Sequence, residues 1–393
     1  MSEPWLAIIG LGEDGPAGLA SASRDALAAA EVVFGAPRHL ELAGVGTKGR
    51  EWPIPFDLAP LLALRGQARV AMLVSGDPFW FGAGGSVAAH LSPDEWRAFP
   101  VAGVFSLIAA RMGWRLEDCL CLGLHAAPYA RLRPVLARGV RVIATLRDGV
   151  AVAELTAWLQ DNGFAEAQVT VCEAVGGPRE RLRARAAWTD VQAPVAVAID
   201  GANLPRNAGL SRASGLPDAL FQSDGQITKS PIRALTLSAL APRPGELLWD
   251  IGGGSGSVSV EWCLAGGLSI CLETRADRIA NIQANAAAFG VAHRLTVLHA
   301  TAPDGLAALP APDAVFVGGG GDAALHAALW SLLPEGARIV ANGVTIETEA
   351  VLADQHGRHG GTLLRLDIAE AAALGRFRDW RAARPVVQWR GVK

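Results

Sequence analysis

Asp250, Gly252, Gly254 and Gly256 stand at alternate positions, as D-x-G-x-G-x-G, with Asp250 near the end of the apolar run LLWDI and the glycines directly after it. Glycine at such a turn lets a ligand lie against the backbone, where a side chain would block it. Glu273 closes the next apolar run, about 20 positions on, where a carboxylate can accept ribose hydroxyls. The chemistry this pattern suits is the binding of a nucleoside-bearing cofactor. The dinucleotide fingerprint G-x-G-x-x-G would need glycine at 257, which is Ser257, and no G-x-x-x-x-G-K-[ST] is present. A plain glycine turn in an α/β sheet is the alternative reading.

The elements that must position these residues are legible. Residues 247–251 read as a buried parallel strand and 258–265 as a helix, the opening step of a doubly wound sheet. Further strands are expected at 268–272, 295–299, 313–317, 338–341, 362–368 and 385–389, with helices at 275–289 and 323–333. Gly318 to Gly321 form a second glycine run at a strand end. Pro231 marks the first turn of a helix ahead of the first strand, in a segment expected to lie over the cleft.

The first half has its own alternation. Strands are expected at 5–9, 32–34, 70–74, 140–146, 168–172 and 195–199, with helices at 21–30 and 154–160. Glycine turns follow three of these strands, in IIGLGEDGPAGL, VVFGAPRHL and LVSGDPFWFG. Residues 200–216, rich in Gly, Pro, Asn and Ser, read as a linker.

The length of 393 residues calls for two domains, and 51% hydrophobic content supports large cores. We expect them at 1–204 and 205–393, with 201–215 as the link. The net charge of −3 gives no pull toward nucleic acid or membrane. Cys119 and Cys121 form only C-x-C, and no histidine pair accompanies them, so no metal site is expected. The N-terminal run lacks a basic region and reads as a strand and not a signal peptide. No apolar run reaches the length of a membrane span.

The D-x-G-x-G-x-G loop with Glu273 resembles motifs one and two of the class I S-adenosylmethionine methyltransferases. The three loops of the first half resemble the tetrapyrrole methylases, an unrelated fold. The expected fold is therefore α/β throughout: an N-terminal tetrapyrrole-methylase fold and a C-terminal Rossmann-like seven-stranded class I fold. With LPDALF, TKSPIRALTLSAL, APDAVFVGGGG and ANGVTIETEA, the whole chain resembles the C5,15-methylating, decarboxylating enzymes of corrin ring synthesis.

That resemblance implies two methyl transfers from S-adenosylmethionine, with one cofactor site per domain. It places C5 methylation in the first half, and C15 methylation with loss of the C12 acetate carboxyl in the second. It implies cofactor contacts at Gly10, Gly12, Ser75, Gly76, Asp77 and Pro78. Gly103 and Ser106 match the family's next loop, although Phe105 stands where serine is usual. In the second half the expected contacts are Asp250, Gly252, Gly254, Gly256, Glu273, Ala302 and Gly318. The substrate implied is a precorrin-type polycarboxylate, so cations are needed. Lys229 and Arg233 are the preferred carboxylate contacts, with Gln226 and Thr228 beside them. Glu261 either faces the cofactor or is an ordinary helix acid. His125, in an L-H pair of the same branch, is either functional or a core histidine. Arg179, Arg181, Arg183 and Arg185 read as a solvated stripe. The expected setting is a cytoplasmic homo-oligomer acting on a small molecule. Three other readings remain open: a two-domain methyltransferase acting on another tetrapyrrole or corrin position, a first half that only scaffolds an active second half, and a nicotinamide oxidoreductase, which Ser257 opposes.

Overall fold

A computed structural model describes residues 4–184, 188–319 and 321–393. Arg185 of the arginine stripe and Gly320 of the second glycine run lie outside the described residues. The chain divides into two compact units, one of residues 1–129 and 135–208, the other of 209–393 with 130–134.

Among the described residues the first unit builds two five-stranded sheets. One comprises β1 (Leu6–Leu11), β2 (Val32–Gly35), β3 (Gly49–Glu51), β4 (Val70–Ser75) and β5 (Trp96–Phe99), in the order β3-β2-β4-β1-β5. It is parallel throughout. β1 and β4 read as unbroken apolar runs because both faces are covered, and Ile8, Ile9 and Met72 are fully buried. The register pairs Leu11 with Ser75, so the loops beginning at Gly12 and Gly76 leave the sheet side by side.

The other sheet comprises β6 (Cys119–Gly123), β7 (Arg141–Leu146), β8 (Gln168–Glu173), β9 (Arg181–Ala184) and β10 (Val195–Asp200), ordered β6-β7-β10-β8-β9. Its edge corrects the solvated-stripe expectation. Arg181 and Arg183 on β9 both grip Glu173, which is buried, at 2.6 and 2.8 Å. They tie the edge strand down because a buried carboxylate needs paired charge.

The second unit contains β11 (Leu247–Ile251), β12 (Leu268–Glu273), β13 (Leu295–His299), β14 (Ala314–Gly318), β15 (Arg338–Gly343), β16 (Thr362–Leu366), β17 (Ala369–Leu374), β18 (Phe377–Ala382) and β19 (Val386–Val392). Seven of these form one sheet, ordered β13-β12-β11-β14-β15-β19-β16. The first five are parallel and β19 runs antiparallel to both neighbours. The expected seven-stranded class I sheet is therefore present. β17 and β18 pair as a separate, largely exposed hairpin, which the sequence reading did not foresee. The end of the expected linker is not slack: Leu216 is in the second unit's core, and the Gly215 and Leu216 amides donate to Glu261 at 2.7 and 3.0 Å.

Candidate functional site

In the second unit the glycine loop leaves β11 between β12 and β14. The Gly252 and Gly253 amides donate to the Leu272 carbonyl, at 3.0 and 3.1 Å, which turns the chain across the end of β12. Gly254 has φ 58°, a left-handed conformation that side chains disfavour. A Cβ at Gly254 would meet just the Gln226 carbonyl, at 3.5 Å, so this glycine faces open space. Gly256 differs: a Cβ there would stand 2.8 Å from Ile282. Gly252 and Gly318 lie back to back at the ends of β11 and β14, where a Cβ on either would come within 3.1 Å of the other's carbonyl.

Glu273, the last residue of β12, is buried beside this loop. Its Oε2 accepts from Gly254 at 2.9 Å, and Oε1 accepts from the Thr274 and Arg275 amides at 2.8 and 3.0 Å. A carboxylate offers about four acceptor positions, so Oε2 has room for a ligand hydroxyl beside Gly254. Asp250 lies deeper. Burial pushes its pKa up to about 6, against the Ser259 hydroxyl that donates to it at 2.5 Å. Asp250 Oδ1 and Ser255 Oγ are buried without a hydrogen-bond partner among the described residues. Ala302 sits half-buried against the core that holds Leu272 and Leu306.

The segment ahead of β11 is bound to the glycine loop by Asn285, which no sequence signal singled out. Its amide donates to the Ser255 and Gln222 carbonyls at 2.8 and 2.9 Å, and its Oδ1 accepts from the Gln222 amide at 2.8 Å. Gln226 is exposed and Thr228 half-buried. Lys229 is exposed, 3.7 Å from Asp218.

Arg233 requires a correction. It is 0% exposed. Nε donates to Glu261 at 2.6 Å and Nη1 to Asp218 at 3.1 Å, while the Thr228 and Leu216 carbonyls take further bonds. Its face stacks over Phe221, 4.8 Å from the ring centroid. A guanidinium so engaged holds the segment's fold and does not reach a substrate carboxylate. Glu261 is likewise committed, to Arg233 and to the Gly215 and Leu216 amides. The helical spacing could not reveal this, because the partners come from a segment 28 to 46 residues away.

In the first unit a cavity of about 720 Å³ opens between the two sheets. Gly12, Ser75, Gly76, Asp77, Gly103 and Ser106 all line it, with Thr145, Cys172 and Ala196 from the second sheet. Gly76 and Gly103 approach so closely that a Cβ on Gly76 would stand 2.6 Å from the Gly103 Cα. Gly10 and Pro78 support the wall from behind. Gly10 packs on the Gly76 carbonyl, and the Pro78 carbonyl accepts from Gly84 at 3.0 Å. The Asp77 carboxylate accepts from the Phe79 amide at 2.8 Å, which shapes the turn. Phe105 fills the position where serine was expected and packs against Phe81, 5.5 Å away. His125 is exposed at the cavity wall, with Nδ1 3.1 Å from Thr145 Oγ1, so it is not a core histidine.

Residues missed by the sequence reading complete this wall. Trp80 and Phe81 are about half exposed beside it. Arg38 and His39 reach in from the helix Pro37–Ala43 and meet Ser75 Oγ at 3.0 and 2.8 Å. The adjacent Arg-His directly after a strand and glycine turn was the available signal.

Comparison with known proteins agrees with both units. A family described as Tetrapyrrole (Corrin/Porphyrin) Methylases matches residues 6–187, and one described as Precorrin methyltransferase domain matches 219–393. A protein of Sinorhizobium sp., named precorrin-6Y C(5,15)-methyltransferase [decarboxylating], is 44% identical, covering 99% of this chain and 97% of its own. One of the same name from Mycobacterium tuberculosis is 37% identical over 99% of this chain and 100% of its own. The solved C-terminal domain of the Rhodobacter capsulatus precorrin-6Y C5,15-methyltransferase is 61% identical with a TM-score of 0.46, covering 47% of this chain and 100% of that one.

Proposed function

The chain belongs to the precorrin-6Y C5,15-methyltransferase (decarboxylating) family, and on that premise we propose that its two units divide the reaction between them. The first unit methylates C5 of a precorrin ring. The second methylates C15 and releases the C12 acetate carboxyl as carbon dioxide. Each unit binds its own S-adenosylmethionine, and the chain works in the cytoplasm as a homo-oligomer.

The observation that carries this reading is the pair of glycine cradles on two different folds. One is the Gly76–Gly103 approach in the first-unit cavity, and the other the Gly252–Gly256 loop beside Glu273. Both fit the cofactor: a branched side chain at Gly254, or one at Gly103, would fill space where the nearest protein atom is 3.5 Å from the new Cβ, and Glu273 has acceptor capacity for ribose hydroxyls. When bound, S-adenosylmethionine supplies an electrophilic methyl group on sulfonium sulfur. A ring-conjugated enamine carbon is already nucleophilic, so the chain's task is to orient the reactants and shape the field around them. In the second unit the Asn285-held segment carries Lys229, exposed and suited to a ring carboxylate. In the first unit Trp80 and Phe81 offer apolar faces to a flat macrocycle.

The test uses the full chain, labelled S-adenosylmethionine and precorrin-6Y, with methyl positions read by NMR. Gly254→Val should leave C5 labelled, C15 unlabelled and the acetate intact. Asp77→Ala with Pro78→Ala should give a C15-methylated, decarboxylated product without the C5 methyl. If Gly254→Val abolishes both methyls, or if the Asp77/Pro78 variant still labels C5, the allocation is wrong. Light scattering on the purified chain tests the oligomer.

A further inference from the structure

The first-unit cavity holds a cation whose counter-ion is itself a cavity residue. Arg38 lines the cavity together with Glu13, His39 and Ser75. Its Nη1 donates to Glu13 Oε1, and its Nη2 donates to Ser75 Oγ at 3.0 Å. Arg179 comes to the same carboxylate, 3.7 Å from Glu13 Oε2. His39 adds no charge: burial, and then the neighbouring Arg38, hold its pKa down to about 4. Its Nε2, 3.0 Å from Arg38 Nη2, can only accept there, because a guanidinium has no lone pair to offer. Two guanidiniums therefore share one carboxylate, and the group carries one positive charge in excess.

Arg147 also lines the cavity, but its donors turn to Asp148 and Glu154, which do not. Arg38 thus differs from Arg147 in having its ion pair inside the cavity. Its side chain is 33% exposed, against 10% for Glu13, so its fork is reachable. Arginine suits a carboxylate because both groups are planar and pair through two parallel hydrogen bonds.

We infer that Arg38 is a carboxylate-recognition residue of this cavity, with Glu13 as the internal carboxylate that holds its Nη1 until a ligand's carboxylate takes that place. The displaced Glu13 keeps Arg179, and the incoming negative charge brings the group to neutrality. This rests on the reading that the first unit binds cofactor and ring. Both carry carboxylates, on the methionine moiety and on the ring's side chains, and the experiment separates them.

Three variants of the full chain, Arg38→Met, Arg38→Lys and Glu13→Gln, are assayed for methyl formation by the first unit. The ring arm reads KM for precorrin-6Y and the ring's binding constant by absorbance titration. The cofactor arm compares S-adenosylmethionine with its decarboxylated analogue as a competitor. Arg38→Met should weaken one ligand about ten- to a hundredfold, the loss of a charge-assisted hydrogen bond. Loss in the ring arm assigns the site to the macrocycle. Loss of discrimination between the two cofactors assigns it to the methionine carboxylate. Arg38→Lys should recover part of the loss. Glu13→Gln should tighten the same ligand, because the internal competitor is gone; a merely structural ion pair gives no tightening. If Arg38→Met changes neither arm, or if Glu13→Gln weakens binding as Arg38→Met does, the inference is wrong. If the first unit's methyl appears at a carbon other than C5, the reading of that unit fails, while the binding constants still decide the role of Arg38.

Discussion

Glu273 Oε2 accepts from the Gly254 amide at 2.9 Å, which joins the end of β12 to the middle of the glycine loop. The residue expected to hold the cofactor's ribose therefore also sets the loop that faces it. Removing Glu273 should affect the ligand twice, once through the lost acceptor and once through a released loop.

If each unit binds its own S-adenosylmethionine, as proposed, Glu273→Ala should weaken one of the two affinities by about ten- to a hundredfold, from hydrogen bonds to a charged acceptor. Calorimetry on the full chain reads this directly. A titration in which both affinities are unchanged means that another acid holds the ribose.

Gly254 and Gly256 should separate binding from stability. Gly254→Val adds a side chain where the protein leaves space, so second-unit cofactor binding should disappear, with a melting loss of about 1–2 kcal/mol from the left-handed backbone. Gly256→Val drives into Ile282, 2.8 Å from the new Cβ. It should cost about 1–3 kcal/mol more by overpacking. Thermal melts of the two variants check the contrast, and equal melting losses would defeat it.

Arg233→Met should act on stability. It leaves the Glu261 carboxylate buried with its guanidinium partner gone, a change that costs about 3–5 kcal/mol. Denaturant unfolding should show this loss. The double variant Arg233→Met with Glu261→Gln should regain part of it. A normal melting curve with a raised KM for the ring would restore Arg233 as a substrate contact.

The two units should respond to pH in opposite directions. His39 has its folded pKa depressed to about 4 by burial and by Arg38. The unfolded chain takes the proton first, so stability present above about pH 6.5 is lost as pH falls toward about 4, by roughly 3 kcal/mol. Asp250 has its folded pKa raised from 3.8 to about 6 by burial. The folded state takes that proton first, so the stability this group contributes at low pH is lost as pH rises through about 6, again by roughly 3 kcal/mol. His39→Gln and Asp250→Asn should each remove one slope from the pH dependence of unfolding. A variant with the wild-type slope would show that its group does not titrate in this way.

The glycine positions, the strands behind them and the acid at 273 were legible in the sequence, because each depends on local rules. A parallel strand buried on both faces must be apolar, and backbone that faces a ligand must lack side chains. The spacing from Asp250 to Gly256 follows from one turn and needs no distant partner. The loops at Gly12 and Gly76 were legible singly in the same way, but their meeting was not, because it follows from the pairing of Leu11 with Ser75 on two different strands. Only tertiary structure decided which charges are used up. Arg233 and Lys229 lie four residues apart and look alike in the sequence. Yet one is sealed against Glu261 and Asp218 and the other is exposed. Arg38 was passed over because Glu13 and Ser75, which give it meaning, stand 25 and 37 residues away. A side chain's charge is written in its residue type. Its availability depends on what the fold brings within about 3 Å of it, and that contact is long-range.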